Sequence, residues 1–412
     1  MGFRLMYTYK IGISEKEHDA FVLANPKCNL LQSSKWATIK DNWDHEIIGF
    51  YDNKTLVAST TLLIKKLPLG KSLIYIPRGP IMDYSDFELV DFVLESLKKY
   101  GKKQKALFIK CDPSLFLKQF SISEINNEIE EIDITLSAIE FLKKRGVEWS
   151  GRTKDIAQTI QPRLQANIYA NQFSLQTLPK KTKQAIRTAQ NKGIETIIGG
   201  QELLESFAQL MKKTEERKNI HLRGLDYYQK LMETYPEDSY ITMTSLNLAE
   251  RHQLLEQQLS ELLTNQSKFN EKTKEGKKKE TASAISRIQQ ELDFLSDKMN
   301  AGSTLVPLAA TLTLIFGKTS ENLYAGMDEE FKQYQAPLLT WFETATEAFQ
   351  RGCLWQNMGG IENQLDGGLY HFKSKLNPQI EEFAGEFNIP VSLLYRPAML
   401  AYNLRKQLRS KH

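Results

Sequence analysis

The chain has 412 residues, 41% of them hydrophobic and 25% charged, with a net charge of +4. That length suggests two or three domains with real cores, and so mild a positive balance permits an anionic partner without requiring one. Three scattered cysteines (Cys28, Cys111, Cys353) without a CxxC pair, and six histidines without HxxxH spacing, argue against a disulfide scaffold or a structural metal and for a reducing, cytoplasmic setting.

The N-terminal MGFRLMYTYK lacks the basic and apolar segments of a signal peptide, and Met6 breaks the myristoylation pattern. Next, LLQSSKWATIK places Ser33 or Ser34 at a helix N-cap and Lys35 in the first turn. A lysine there opposes the helix dipole. Either it shares a bound phosphate or carboxylate with the free N–H groups, or it is an exposed lysine that the helix tolerates.

HEIIGFYDNKTLVASTTLLIKKLPLGKSLIYIPRGP reads as a strand, a tight turn at Asp52-Asn53-Lys54, a long strand, a Gly-Lys turn and a strand carrying tyrosine. SDFELVDFVLESLKKYG follows as a helix, with Ser85 and Glu88 as a capping box and Val90, Val93, Leu94 and Leu97 on one face. In FIKCDP, Asp112 ends a strand before Pro113, a position that suits a catalytic carboxylate or merely starts a turn.

LPKKTKQAIRTAQNKG carries Lys180, Lys181, Lys183, Arg187 and Lys192. It is a basic footprint for RNA or a solvated helix face; no RNP motif or aromatic platform accompanies it. In ERKNIHLRGLDYYQKL, Arg223 and Tyr227 stand four apart, on one face if helical. A guanidinium fork beside a ring with a hydroxyl donor suits a phosphate or a sugar, and equally a surface ion pair beside a half-buried tyrosine.

From 246 to 300 the composition turns to Glu, Gln, Lys and Leu. Leu248, Leu255, Leu262 and Phe269 recur every seven residues, and Ile285, Ile288, Leu292, Leu295 and Met299 alternate three and four apart. Between these limbs, NEKTKEGKKKETAS is polar and basic, with Gly276 to turn the chain. The pattern predicts an antiparallel coiled-coil arm with Lys272, Lys274, Lys277, Lys278 and Lys279 at its tip.

With the arm set aside, the chain repeats itself. DSYITMTSLNL and STLVPLAATLTLIFGKTSENLYAGM restate the first half, Thr-Leu-Val opening and Gly-Lys turn included. The helix APLLTWFETATEAFQRG and the strand LWQNMGG follow in the same order. We therefore expect an α+β chain of two similar domains, 1–150 and 151–245 with 301–395. The arm, 246–300, replaces the tight turn of the first, and a C-terminal helix over 396–412 returns to pack on the first domain.

The longest apolar run, LVPLAATLTLIF, is too short and too proline-marked to cross a membrane. There is no P-loop, no GxGxxG, no Ser-His-Asp arrangement, and no pyrophosphate-cradling loop of acetyl-CoA-dependent transferases. In GLYHFKSKLNP, after the glycines of WQNMGGI, Lys373 is either a charge-handling group or a lysine snorkelling from a strand end.

Taken together, SSKWATIK, YIPRGP, FIKCDP, LPKKTKQAIRTAQNKGI, RGLDYY, LYAGM, GGI and GLYHFKSKLNPQIEEFAGEF resemble the Fem (FemABX, MurM-like) peptidyltransferases, in family order over nearly the whole chain. The resemblance implies two domains of the GCN5-related acetyltransferase type in tandem plus a coiled-coil arm. It implies transfer of an amino acid (alanine, serine or glycine) from aminoacyl-tRNA to the stem-peptide lysine of a peptidoglycan precursor, usually lipid II. The work is done in the cytoplasm and transiently at the inner membrane surface, with no cofactor, no metal and no DNA. Precursor binding falls on Lys35, Trp36, Arg223, Tyr227 and Tyr324, and transfer chemistry on Lys373, with Asp112 as proton acceptor. Contacts to tRNA fall on Lys277, Lys278 and Lys279 of the arm tip, with Lys181 and Arg187. Two competing readings are an acyl-CoA-dependent N-acyltransferase of the same fold and a non-catalytic coiled-coil adaptor.

Overall fold

The computed structural model describes residues 7–409. Residues 1–6, on which the reading of no leader partly rests, and 410–412 of the expected C-terminal helix lie outside the described residues.

The first half runs β1 (Tyr7–Ile11), α1 (Glu15–Ala24), α2 (Ser34–Thr38), β2 (Asp44–Asp52), β3 (Thr55–Lys66), β4 (Ser72–Ile76), α3 (Phe87–Lys103), β5 (Ala106–Cys111), β6 (Phe116–Ser121), α4 (Asp133–Lys144) and β7 (Glu148–Trp149). The second half begins with β8 (Leu164–Tyr169), α5 (Lys180–Asn191), β9 (Ile194–Gly199), α6 (Leu204–Lys218), α7 (Leu225–Thr234) and β10 (Ser239–Asn247). After α8 (Leu248–Ser267) and α9 (Glu275–Asn300) come β11 (Leu305–Phe316), β12 (Thr319–Met327), α10 (Ala336–Gln350) and β13 (Trp355–Gly360). The chain closes with α11 (Gly368–Lys373), β14 (Gln379–Phe383), β15 (Phe387–Pro390) and α12 (Tyr395–Arg409).

The repeat legible in the sequence is a repeat of topology. One sheet has the order β1-β2-β3-β4-β5-β15-β7, and the other, reversed, β9-β10-β11-β12-β13-β8-β14-β6. In both, four antiparallel strands lead through a helix, α3 or α10, to a parallel fifth, as a crossover connection requires. Val90, Val93, Leu94 and Leu97 of α3 are all buried against the first sheet. The helix begins one residue later than expected. Asp86 accepts the amide of Leu89 at 2.9 Å, whereas Ser85 donates its hydroxyl to Asp83 and so cannot cap.

The expected boundary at residue 150 does not coincide with the sheets. β6, from the first half, pairs with β14 at the edge of the second sheet, and β15, from the end of the chain, inserts between β5 and β7 of the first. Each sheet is completed by a strand from the other half.

α8 and α9 form a helical hairpin where β2 and β3 have a tight turn. Arg251 pairs with Glu291 at 2.9 Å, and His252 meets Ser296 at 3.1 Å, so the start of α8 is tied to the C-terminal half of α9. Leu248, Leu255 and Leu295 bury the base of the hairpin in the second core, while Leu262 and Phe269 further out are only half-buried. The turn is closed by Asn270 and Thr273, not by Gly276, which lies in the first turn of α9. Among the described residues no helix is long and apolar enough to cross a membrane.

Candidate active site

The parallel seam between β12 and β13 is paired only from Thr319–Glu321 to Trp355–Asn357. Beyond Glu321 the two strands diverge, and the wedge holds a cavity of about 660 Å³. Its walls are Asn322–Met327 on one side and Met358–Gly360 on the other, with Trp341 of α10 and Lys373 of α11. The corresponding seam of the first sheet stays paired through Ile76 and Cys111.

GLYHFK is a helix, not the strand end expected from sequence. Its free amides explain why: the Glu362 carboxylate accepts the N–H groups of Leu369 and Tyr370 at 3.0 and 2.9 Å, a side-chain cap on an otherwise short and weak helix. The turn carries Lys373 inward and leaves Lys375 exposed, so the two do not share a face. The Lys373 amine donates to the Gly360 carbonyl at 2.7 Å and stands 5.9 Å from the centre of the Trp341 ring. Burial pulls its pKa down to about 7; the Glu362 carboxylate opposes that shift and Lys218 adds to it. Burial also pushes Glu362 upward, but the two amides and the Lys373 charge outweigh it and hold the carboxyl below its usual range. Gly359 sits at φ +83°, a left-handed conformation that favours glycine, and a Cβ there would lie 3.4 Å from the amine.

A second cluster lies against Tyr324, itself a wall of the cavity. The Tyr227 ring meets the Tyr324 ring edge-on at 6.2 Å, and the Arg223 guanidinium lies 4.8 Å over Tyr227. Arg223 precedes α7 instead of sharing its face, yet still stacks on the ring four residues on. Burial first, and then Tyr227, push the Tyr324 phenol far up, so it stays protonated.

The lysine that joins this cluster is Lys40, which sequence reading missed. Its amine is 3.4 Å from the Tyr227 hydroxyl and 4.7 Å over Trp36. Lys35 is exposed and faces Tyr235, 5.8 Å away. The reason is local: α2 ends at Thr38, so Lys40 lies beyond the helix and turns toward α7. The structure thus brings Trp36, Arg223, Tyr227, Tyr324 and Lys373 along one path, and leaves Lys35 at its side.

Asp112 does not join Lys373. It is buried at the end of β5, where one carboxylate oxygen accepts Tyr75 Oη at 2.7 Å and the other the Arg78 amide at 2.7 Å. Burial pushes it up to about 6. Both oxygens are occupied in fixing the Arg78 turn, where φ is +51°. Asp112 is not among the residues that line the β12–β13 cavity. Arg78 itself is buried, stacks 3.8 Å over Phe383 and donates to the Pro162 carbonyl at 3.0 Å, so this turn ties the first sheet to the second.

Lys181 and Arg187 are exposed on α5; Lys277 and Lys279 are exposed and Lys278 half-buried at the start of α9. Besides Lys40, the groups that sequence reading missed are Glu362, Trp341 and Asn322. Only the Gly359-Gly360 pair ahead of Glu362 carried a signal, because a doubled glycine after a strand marks a special turn.

With this geometry in hand, the comparisons are specific. The model of the FemAB family matches residues 13–403. The lipid II:glycine glycyltransferase of Staphylococcus haemolyticus is 26% identical over 396 residues, covering 92% of each chain. The protein of the same name from Staphylococcus aureus (strain MRSA252) is 28% identical over 407 residues, again covering 92% of each. Among solved structures, that of FemX superposes with a TM-score of 0.73 at 26% identity, covering 97% of this chain and 100% of that one. The class is therefore aminoacyltransferase. The chain belongs to the FemAB family.

Proposed function

We propose that the chain takes an amino acid from aminoacyl-tRNA and attaches it to the stem peptide of lipid II, building an interpeptide bridge. The observation that carries this reading is the continuous path from Lys40, Arg223 and Tyr227, past Tyr324, to the buried Lys373 amine. A precursor with a diphosphate at one end and a flexible stem peptide at the other matches that path. Two cations and a phenol receive phosphate and sugar, and the stem enters the wedge. The name shared by the relatives favours glycine over alanine or serine as the donated residue. The exposed lysines at the tip of a coiled-coil arm, with Lys181 and Arg187, suit the phosphates of tRNA. Each sheet with its crossover helix reads as an acetyltransferase-type unit.

An aminoacyl ester is already activated, so the work is alignment and proton handling. The acceptor amine attacks the ester carbonyl; a C–N bond forms and the carbonyl oxygen becomes an oxyanion. The C–O bond to ribose then breaks, the ribose oxygen gains a proton, and the attacking nitrogen loses one. Lys373, with a pKa of about 7, is charged often enough to face the oxyanion and acidic enough to protonate the departing oxygen. Its neutral amine then recovers a proton from the new amide nitrogen, and the balance closes without a second acid or base.

The test is direct. Purified chain, lipid II and tRNA charged with glycine, alanine or serine are combined and the product is weighed by mass spectrometry. A mass gain of one residue on lipid II, dependent on charged tRNA, is expected. No gain with any of the three, or acyl transfer from an acyl-CoA without tRNA, would overturn the reading.

A further inference from the structure

Below the precursor cleft the molecule carries an apolar surface that its own fold does not cover. α12 buries one face: Tyr395 and Tyr402 set their rings edge-on against Phe108, each 5.9 Å away. The opposite face turns leucines outward. Leu400 and Leu404, one turn apart, are 64% and 53% exposed, and Leu393 just ahead of the helix is fully exposed. A second outward leucine, Leu69 at 95% exposure, is held at the tip of the β3–β4 turn with φ +60°. The two features belong to one surface. Trp43, Lys65 and Leu67 line a groove of about 600 Å³ together with Tyr402 and Arg405 of α12.

Beside these leucines Arg396 pairs with Glu148 at 2.8 Å, yet cations predominate in this stretch. From Phe387 to the last residue the sequence has no Asp or Glu, but it has Arg396, Arg405, Lys406, Arg409 and Lys411. Lys65, Lys71 and Arg405 make no ion pair among the described residues. Outward leucines set among unneutralised cations, with a half-buried tryptophan at the rim, match a helix lying in the plane of a lipid surface. The position fits as well. Trp43 lies three residues beyond Lys40, so the groove adjoins the cluster where we place the precursor phosphates. A diphosphate joined to a lipid tail lies at the headgroup level, and a cleft that takes it must be brought to that level.

We propose that the outer face of α12, with the Leu69 turn, is a docking surface for an anionic phospholipid bilayer, and that it sets the Lys40–Tyr227 cleft at the depth of the lipid phosphates. The placement rests on the lipid II reading above; the surface does not.

The test separates the two. The full chain is sedimented with vesicles of phosphatidylcholine alone or mixed with phosphatidylglycerol, all without lipid II. Partition should rise at least about tenfold with the anionic lipid and fall as salt is added. Leu400→Glu with Leu404→Glu should lower it about tenfold. Leu69→Ser with Leu393→Ser, both outside α12, should lower it without touching that helix and covers the case in which the first pair disturbs it. Both pairs should keep transfer to detergent-solubilised lipid II within about twofold of wild type, since neither touches the cleft. The proposal is overturned if the wild-type chain ignores anionic vesicles or if both pairs bind as well as wild type. It is equally overturned if the leucines prove to hold a second protein, seen as leucine-dependent self-association with no vesicle affinity. Failure of the lipid II reading looks different: vesicle binding stands and the detergent assay is silent in the wild type.

Discussion

Replacing Lys373 by methionine should make the protein more stable and nearly inactive. The lysine is buried, and its pKa falls from 10.5 to about 7, first because burial disfavours the charge. That displacement corresponds to roughly 5 kcal/mol in favour of the neutral amine. The unfolded chain binds this proton up to pH 10.5 and the folded chain only to about 7. Between those limits the unfolded state holds more protons, so stability rises with pH; below 7 the full cost is present. Methionine fills similar volume without charge, but leaves the Gly360 carbonyl without its donor, at about 1–3 kcal/mol. The net expectation at pH 6 is a gain of about 2–4 kcal/mol in urea unfolding, vanishing near pH 9. A variant no more stable than wild type at pH 6 would show that the amine is not held against its charge, and the reasoning would fail.

The same substitution should cost about 10²–10³-fold in turnover with little change in precursor affinity, the pattern of a group that acts only in the transition state. If the protonated form does the work, wild-type turnover falls as pH rises through about 7. Glu362 favours the charge on Lys373, so Glu362→Gln should move that falling limb to lower pH. A limb that stays in place, or one that rises with pH, would assign Lys373 the role of base.

Three other outcomes are expected. Lys40→Ala and Arg223→Ala should each weaken precursor binding by about 1.5–3 kcal/mol in calorimetry, while exposed Lys35→Ala should change it by less than about 0.5. Replacing Lys272, Lys274, Lys277, Lys278 and Lys279 by serine should flatten the salt dependence of the apparent KM for charged tRNA, and an unchanged slope would return the tip to a solvated turn. Asp112→Ala should lower unfolding free energy by about 2–5 kcal/mol, since it strands the Tyr75 hydroxyl and the Arg78 amide, with transfer per folded molecule kept within a few-fold.

How much of this was legible in the sequence depended on how local the cause was. The long strands announced themselves, because a Thr-Leu-Val opening and a following Gly-Lys turn bracket both β3 and β11. So did the helical hairpin, from its seven-residue spacing of leucines. The exchanged strands did not. β6 and β15 are six and four residues long, and nothing in such a segment says which sheet it completes. The α11 helix was read as a strand because its cap, Glu362, lies outside it and reaches back through the fold. Lys35 was preferred to Lys40 because a helix start draws attention, whereas the side that faces α7 is a tertiary fact.

The duplication itself explains why one half holds the candidate site and the other does not. Both halves have a parallel seam behind a crossover helix, the one place where a sheet of this order can open between strands joined by slanted bonds. In the first half the seam is sewn shut. Ile76 pairs with Cys111, the Asp112 amide continues to the Ile76 carbonyl at 3.4 Å, and the Asp112 carboxylate seals the turn that follows. In the second half pairing stops at Glu321 and Asn357, and α11 swings its lysine into the gap. The strand exchange then turns the closed half into a support. β14 and β15 follow α11 directly, one anchored in each sheet, so the segment carrying Lys373 is held from both sides. A buried amine kept near its neutral form needs such a rigid frame, since any loosening that admits water would return its pKa toward 10.5 and remove the acidity that the proposed transfer uses.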